Sequence, residues 1–165
     1  MKQGMPQDIR ISPDGRKFYV ADMLADGVHV VDGDSFTQIG FIATGVGAHG
    51  LYPSRDGKHL YVVNRGSHLI HGPKNGNGSV AVIDFASDQV VARWGVPGGG
   101  SPDMGNVSAD GRYLWLAGRY DDVVYRFDTQ NNGAGQQGKV GAEPHGLTVW
   151  PIPGRYSLGH TGNMR

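Results

Sequence analysis

The sequence predicts an all-β fold, a β-propeller of about three and a half four-stranded antiparallel blades. One turn recurs as Ser12-Pro13-Asp14-Gly15, Ser54-Arg55-Asp56-Gly57 and Ser108-Ala109-Asp110-Gly111, at spacings of 42 and 54 residues. A degenerate fourth copy, Pro151-Ile152-Pro153-Gly154, follows after a further 43. An aromatic-apolar strand stands behind each of the three full turns. Finally, 28 Gly and 9 Pro are spread over all 165 residues. An interior helix glycine costs about 1 kcal/mol, so this scatter disfavours a helical bundle and suits short strands joined by tight turns.

Within each repeat the first strand precedes the turn and lies innermost. The second strands are expected at 16–22, 58–64 and 112–118, with basic-starting residues 155–161 as a weaker fourth. Their runs Phe18-Tyr19-Val20-Ala21, Leu60-Tyr61-Val62-Val63 and Leu114-Trp115-Leu116-Ala117 do not alternate, which predicts burial on both faces between stacked sheets. Third strands follow at 28–32, 80–84 and 124–128, each ending in an aspartate that suits an Asx turn. Fourth strands are placed at 38–44, 89–96 and, weakly, 138–140. The blades are then 5–45, 46–98, 99–141 and a half-blade 142–165. The longer second interval is absorbed by a Gly/Asn/Pro-rich loop insertion at 67–78, between second and third strands.

Lys+Arg and Asp+Glu are 15 each, so no counterion-driven attraction to nucleic acid or an acidic membrane is expected. With no cysteine there is no disulfide, thiolate chemistry or Cys-ligated metal. The start, Met1 to Pro6, carries no secretion signal, and no apolar run is long enough to span a membrane. A soluble chain is expected.

Tyr61-Val62-Val63-Asn64 and Tyr19-Val20-Ala21-Asp22, with the Ser-x-Asp-Gly turn and the Val-x-Val-Ile-Asp strand, resemble the YVTN-type β-propeller repeat proteins over nearly the whole chain. The resemblance implies a bacterial, seven-bladed parent of which this chain looks like the C-terminal half. Such relatives include surface-layer proteins, lactonases and the haem-d1 domain of nitrite reductases. It therefore implies a fold and no single activity. The compartment stays open, a secreted or periplasmic parent being consistent with such relatives. The partners expected are a protein or small-molecule ligand, together with the missing N-terminal half or another copy of the chain. Two-fold pairing would leave two half-blades, which favours the missing half.

Aligning the repeats on their turns sets Pro6-Gln7-Asp8, Ala48-His49-Gly50, Pro102-Asp103-Met104 and Pro144-His145-Gly146 in equivalent places. They should ring one mouth of the channel and present Gln7, His49, Asp103 and His145 inward. The loops after the second strands open on the same face and carry Arg65, Arg119, Asp121, Asp122, His68 and His71, with His160 approaching it. Arg65 and Arg119 are equivalent and could clamp an anion. His49, Asp103 and His145 have ligand chemistry for a transition metal, although the plainer reading makes His-Gly a structural start to the inner strand. No cofactor is expected, and without Cys-x-x-Cys-His covalent haem is excluded. Asp32-Gly33-Asp34-Ser35 lacks calcium-loop spacing, and the Gly95–Gly100 run lacks the Lys of a phosphate loop. Trp94, Trp115 and Trp150 are expected in the inter-blade core. The expectation is a non-enzymatic module binding at the channel mouth. The alternative is a lactonase-like hydrolase or metal-binding propeller using His49, His145 and Asp103.

Overall fold

The structure is a computed structural model that describes residues 4–71 and 76–150. Its strands form three four-stranded sheets, each in sequential order. The first blade holds β1 (Pro6–Ile11), β2 (Lys17–Asp22), β3 (Gly27–Asp32) and β4 (Gln38–Ala43). Blade two holds β5 (Ala48–Pro53), β6 (His59–Asn64), β7 (Ser79–Asp84) and β8 (Gln89–Gly95). In blade three are β9 (Gly105–Val107), β10 (Tyr113–Gly118), β11 (Val123–Asp128) and β12 (Ala134–Lys139). All pairings are antiparallel.

The repeated turn works by one mechanism. Ser12 Oγ accepts from the N–H groups of Arg16 (3.1 Å) and Lys17 (2.9 Å) and donates to Asp14 Oδ1 (2.5 Å). Ser54 and Ser108 accept from His59 and Tyr113, both at 2.9 Å. The closing glycines adopt φ of +78°, +69° and +76°, a region that penalises any Cβ. At the same end of the blades, Asp32, Asp84 and Asp128 cap the third-strand turns by accepting from Ser35, Ser87 and Gln130 N–H. These are the Asx turns that the sequence led us to expect.

Two apolar layers hold the blades face to face. Tyr19, Ala21, Val28 and Val30 of blade one meet Leu51, Leu60, Val62 and Ile83 of blade two. Tyr52, Tyr61, Val63 and Trp94 of blade two meet Leu114, Leu116, Tyr125 and Phe127 of blade three. β6 is therefore buried on both faces, while Phe18, Val20 and Trp115 of the flanking blades are only half-buried. Among the described residues double burial holds for the middle blade alone, because only that blade packs against a sheet on each face there. Trp94 is inter-blade core as expected, whereas Trp150 is 87% exposed.

The last strand of blade three runs 134–139, four residues earlier than expected at its start. Residues 141–150 form no strand, and the remainder of the expected half-blade lies outside the described residues. No helix among the described residues is long and apolar enough to cross a membrane.

Candidate functional site

The innermost strands β1, β5 and β9 lie beside one another, tied by Leu51 N–H to Asp8 Oδ2 (2.9 Å) and Gly105 N–H to Tyr52 Oη (2.7 Å). At the mouth end, the β1–β2 register slips between Pro6 and Asp8, and the β5–β6 register between Ala48 and Gly50. Gln7 and His49 are each the extra residue of a β-bulge, the device that turns a side chain out of the regular alternation. Gln7 uses its turn to donate from Nε2 to its neighbour Met5 O at 3.2 Å. His49 instead reaches the next blade, its Nδ1 standing 3.3 Å from Asp103 Oδ1 without the alignment of a hydrogen bond.

Burial decides the charge of this pair. His49 is 8% exposed and Asp103 1%. The His49 imidazole is pushed down to about 4, first by burial and then by the positive charge of Arg65, His145 and Arg119, against the pull of Asp103. It is neutral at pH 7.

Arg65, from the β6–β7 loop, is 2% exposed. Its guanidinium lies 5.1 Å from the Tyr120 ring centre and bonds the Tyr120 hydroxyl and, at 3.5 Å, Met23 Sδ. Its buried Nε has no hydrogen-bond partner. Arg119, half-buried in the β10–β11 loop, stands over the same ring at 5.7 Å. Two cations thus share one aromatic, each attracted by the ring's quadrupole while repelling the other. Tyr120 also donates to Ile70 O at 2.6 Å, so it pins the insertion of blade two.

The structure therefore gathers His49, Asp103, Arg65 and Arg119 at one mouth. His145 is exposed, yet near enough to act on His49. His160 lies outside the described residues. His68 turns aside to Asp26, 2.6 Å away. Asp121 accepts from Ser101 N–H (2.6 Å) and Tyr125 Oη (2.9 Å), and Asp122 from Glu143 N–H (3.0 Å), so neither faces a ligand alone. Among the described residues no three His, Asp or Glu side chains are grouped to hold a metal ion. His49, Asp103 and His145 are thus not assembled as a ligand set, because the fourth repeat presents His145 from no strand. Tyr120 and Met23 were missed at the sequence level. The signal for Tyr120 was an aromatic directly after the repeated arginine, where blade two has Gly66.

A family model described as YNCE-like beta-propeller matches residues 3–154. No curated protein matches. Among solved structures, a putative 6-phosphogluconolactonase from Bacteroides fragilis is 22% identical with a TM-score of 0.66, over 84% of this chain and 40% of that one. Kuenenia stuttgartiensis hydrazine synthase is 22% identical with a TM-score of 0.63, over 86% and 37%. A catalytically inactive virginiamycin B lyase from Staphylococcus aureus, with quinupristin, is 16% identical with a TM-score of 0.66, over 85% and 44%. At these identities the likeness is one of fold, and the chain spans about two fifths of each neighbour's length.

Proposed function

The chain belongs to the YNCE-like β-propeller family, and from that premise we propose that it is a non-enzymatic binding module whose channel-mouth face takes a small anionic ligand. The observation that carries this reading is the buried, unpartnered Nε of Arg65, beside a second guanidinium on the same tyrosine ring. One carboxylate, Asp103, stands by His49 and leaves the two arginines without a carboxylate of their own among the described residues. Arg119 is the group a ligand meets first. Arg65 supplies charge from beneath, in a setting of low dielectric where that charge is poorly screened.

A hydrolytic role for His49 is less favoured. A group held near 4 is a weak base at pH 7, where general-base catalysis wants a pKa close to the working pH.

Titration calorimetry with inorganic phosphate and with citrate tests the reading. At least one should bind, and Arg119→Ala should weaken it by about 10- to 100-fold, the worth of a charge-assisted hydrogen bond. No heat from either anion at millimolar concentration, or equal binding by the variant, sinks the proposal.

A further inference from the structure

Packing between blades follows a rule of position. Five and seven residues after each turn serine stand Lys17 and Tyr19, His59 and Tyr61, then Tyr113 and Trp115. Tyr19 and Tyr61 point toward the following blade and sit in the layers described above. What they meet is the third-to-fourth-strand turn of that blade. Its left-handed residue lies four after the strand-ending aspartate: Phe36, Asp88 and Asn132, at φ of 54°, 56° and 46°.

The chemistry of the first arriving pair matches what receives it. Lys17 Nζ and Tyr19 Oη donate to the two oxygens of Asp88, each at 2.5 Å. The turn that ends in neutral Asn132 receives Tyr61, whose hydroxyl bonds Thr129. Two members of the series are left over among the described residues. On blade three, Tyr113 and Trp115 form an edge-to-face pair at 6.4 Å, with the Arg126 guanidinium over both rings at 4.7 and 5.8 Å. A hollow of about 240 Å³ on the same face is lined by Trp115, Val124, Arg126 and β12. On blade one, Phe36 is 75% exposed and stacks on Phe18, at 6.4 Å between ring centres. A bulky apolar residue at positive φ, where Asp and Asn occupy the sister turns, is costly in backbone and in hydration.

We propose that the free face of blade one seats the free face of blade three from a second copy of this chain, with Tyr113 and Trp115 closing on Phe36. Ile9, Phe18 and Val20 of the seat hold the repeat positions of Leu51, Leu60 and Val62, the residues with which blade two packs onto blade one. Ile9 and Ile11 are 53% and 42% exposed, as residues awaiting that layer would be. An apolar turn residue stands where an aromatic pair arrives, and an acid where a lysine arrives. Among the described residues no strand covers blade three's face, since residues 141–150 form none. Similar solved structures are covered over 37% to 44% of their length, so two copies supply most of one ring.

Sedimentation velocity of the full chain across micromolar concentrations tests this. A dimer is expected. Phe36→Asp should weaken it by about thirtyfold or more, the scale of losing an aromatic anchor. Its fold should survive, since aspartate suits that backbone better, and circular dichroism checks this. Combining Phe36→Asp with Tyr113→Lys and Trp115→Tyr rebuilds the Lys17–Tyr19–Asp88 arrangement and should restore the dimer. A wild-type monomer at every concentration overturns the proposal. So does a dimer indifferent to Phe36→Asp, or a well-folded triple variant that stays monomeric.

Discussion

His49 shows how burial and a bulge together set the chemistry of one side chain. Its imidazole is lowered to about 4, so the folded state holds it neutral while the unfolded chain protonates it near 6.5. Between those values the unfolded state binds the extra proton, and stability falls as pH falls. Above pH 6.5 the residue is neutral in both states and contributes no pH dependence. The full effect amounts to about 3 kcal/mol, from the linkage of 1.36 kcal/mol per pH unit. His49→Gln should flatten the melting temperature between pH 6.5 and 4, read by calorimetry. An unchanged acid slope would put the loss elsewhere. Aligning the turns was enough to mark His49, Asp103, Arg65 and Arg119 in the sequence. It could not show that Gln7 would bond its own strand or that His68 would turn to Asp26, since both depend on neighbours distant along the chain.

At the scale of the element, the serine turn is the most legible feature and also a strong local constraint. Ser54 Oγ accepts from His59 N–H at 2.9 Å and donates to Asp56 at 2.6 Å. Ser54→Ala should cost about 1–2 kcal/mol through the unpaired donor. Urea unfolding would show this as a lower midpoint at unchanged slope. The inner and middle strands were readable because apolar runs ended in turn residues. β12 was not. Its sequence, Ala-Gly-Gln-Gln-Gly-Lys, is exposed throughout, so no hydrophobic period marks where it begins. It is held by backbone pairing to β11, which composition cannot announce. The insertion was readable as a loop. Its tie to blade three through Tyr120 was not.

For the molecule as a whole, stability rests on the faces between blades. Trp94 lies 5.3 Å from Tyr61 and 6.2 Å from Phe127, ring centre to ring centre, and closes the outer part of the second layer. Trp94→Ala should cost about 3–5 kcal/mol, because a large side chain is lost between two rigid sheets that cannot collapse on the cavity. Denaturant melts followed by circular dichroism would measure it, and a loss below 1 kcal/mol would mean the blades barely depend on that contact. Repeat, turn and strand order were all determined by the sequence alone, since each follows from short-range chemistry: which residues close a tight turn and which suit a pleated strand. Only the tertiary structure decided which identical-looking strands are buried twice. It also decided which arginine is sealed under Tyr120 and which aromatic pair is left facing outward. These outcomes depend on whether a neighbouring blade is present, and burial is a property of the neighbour as much as of the residue.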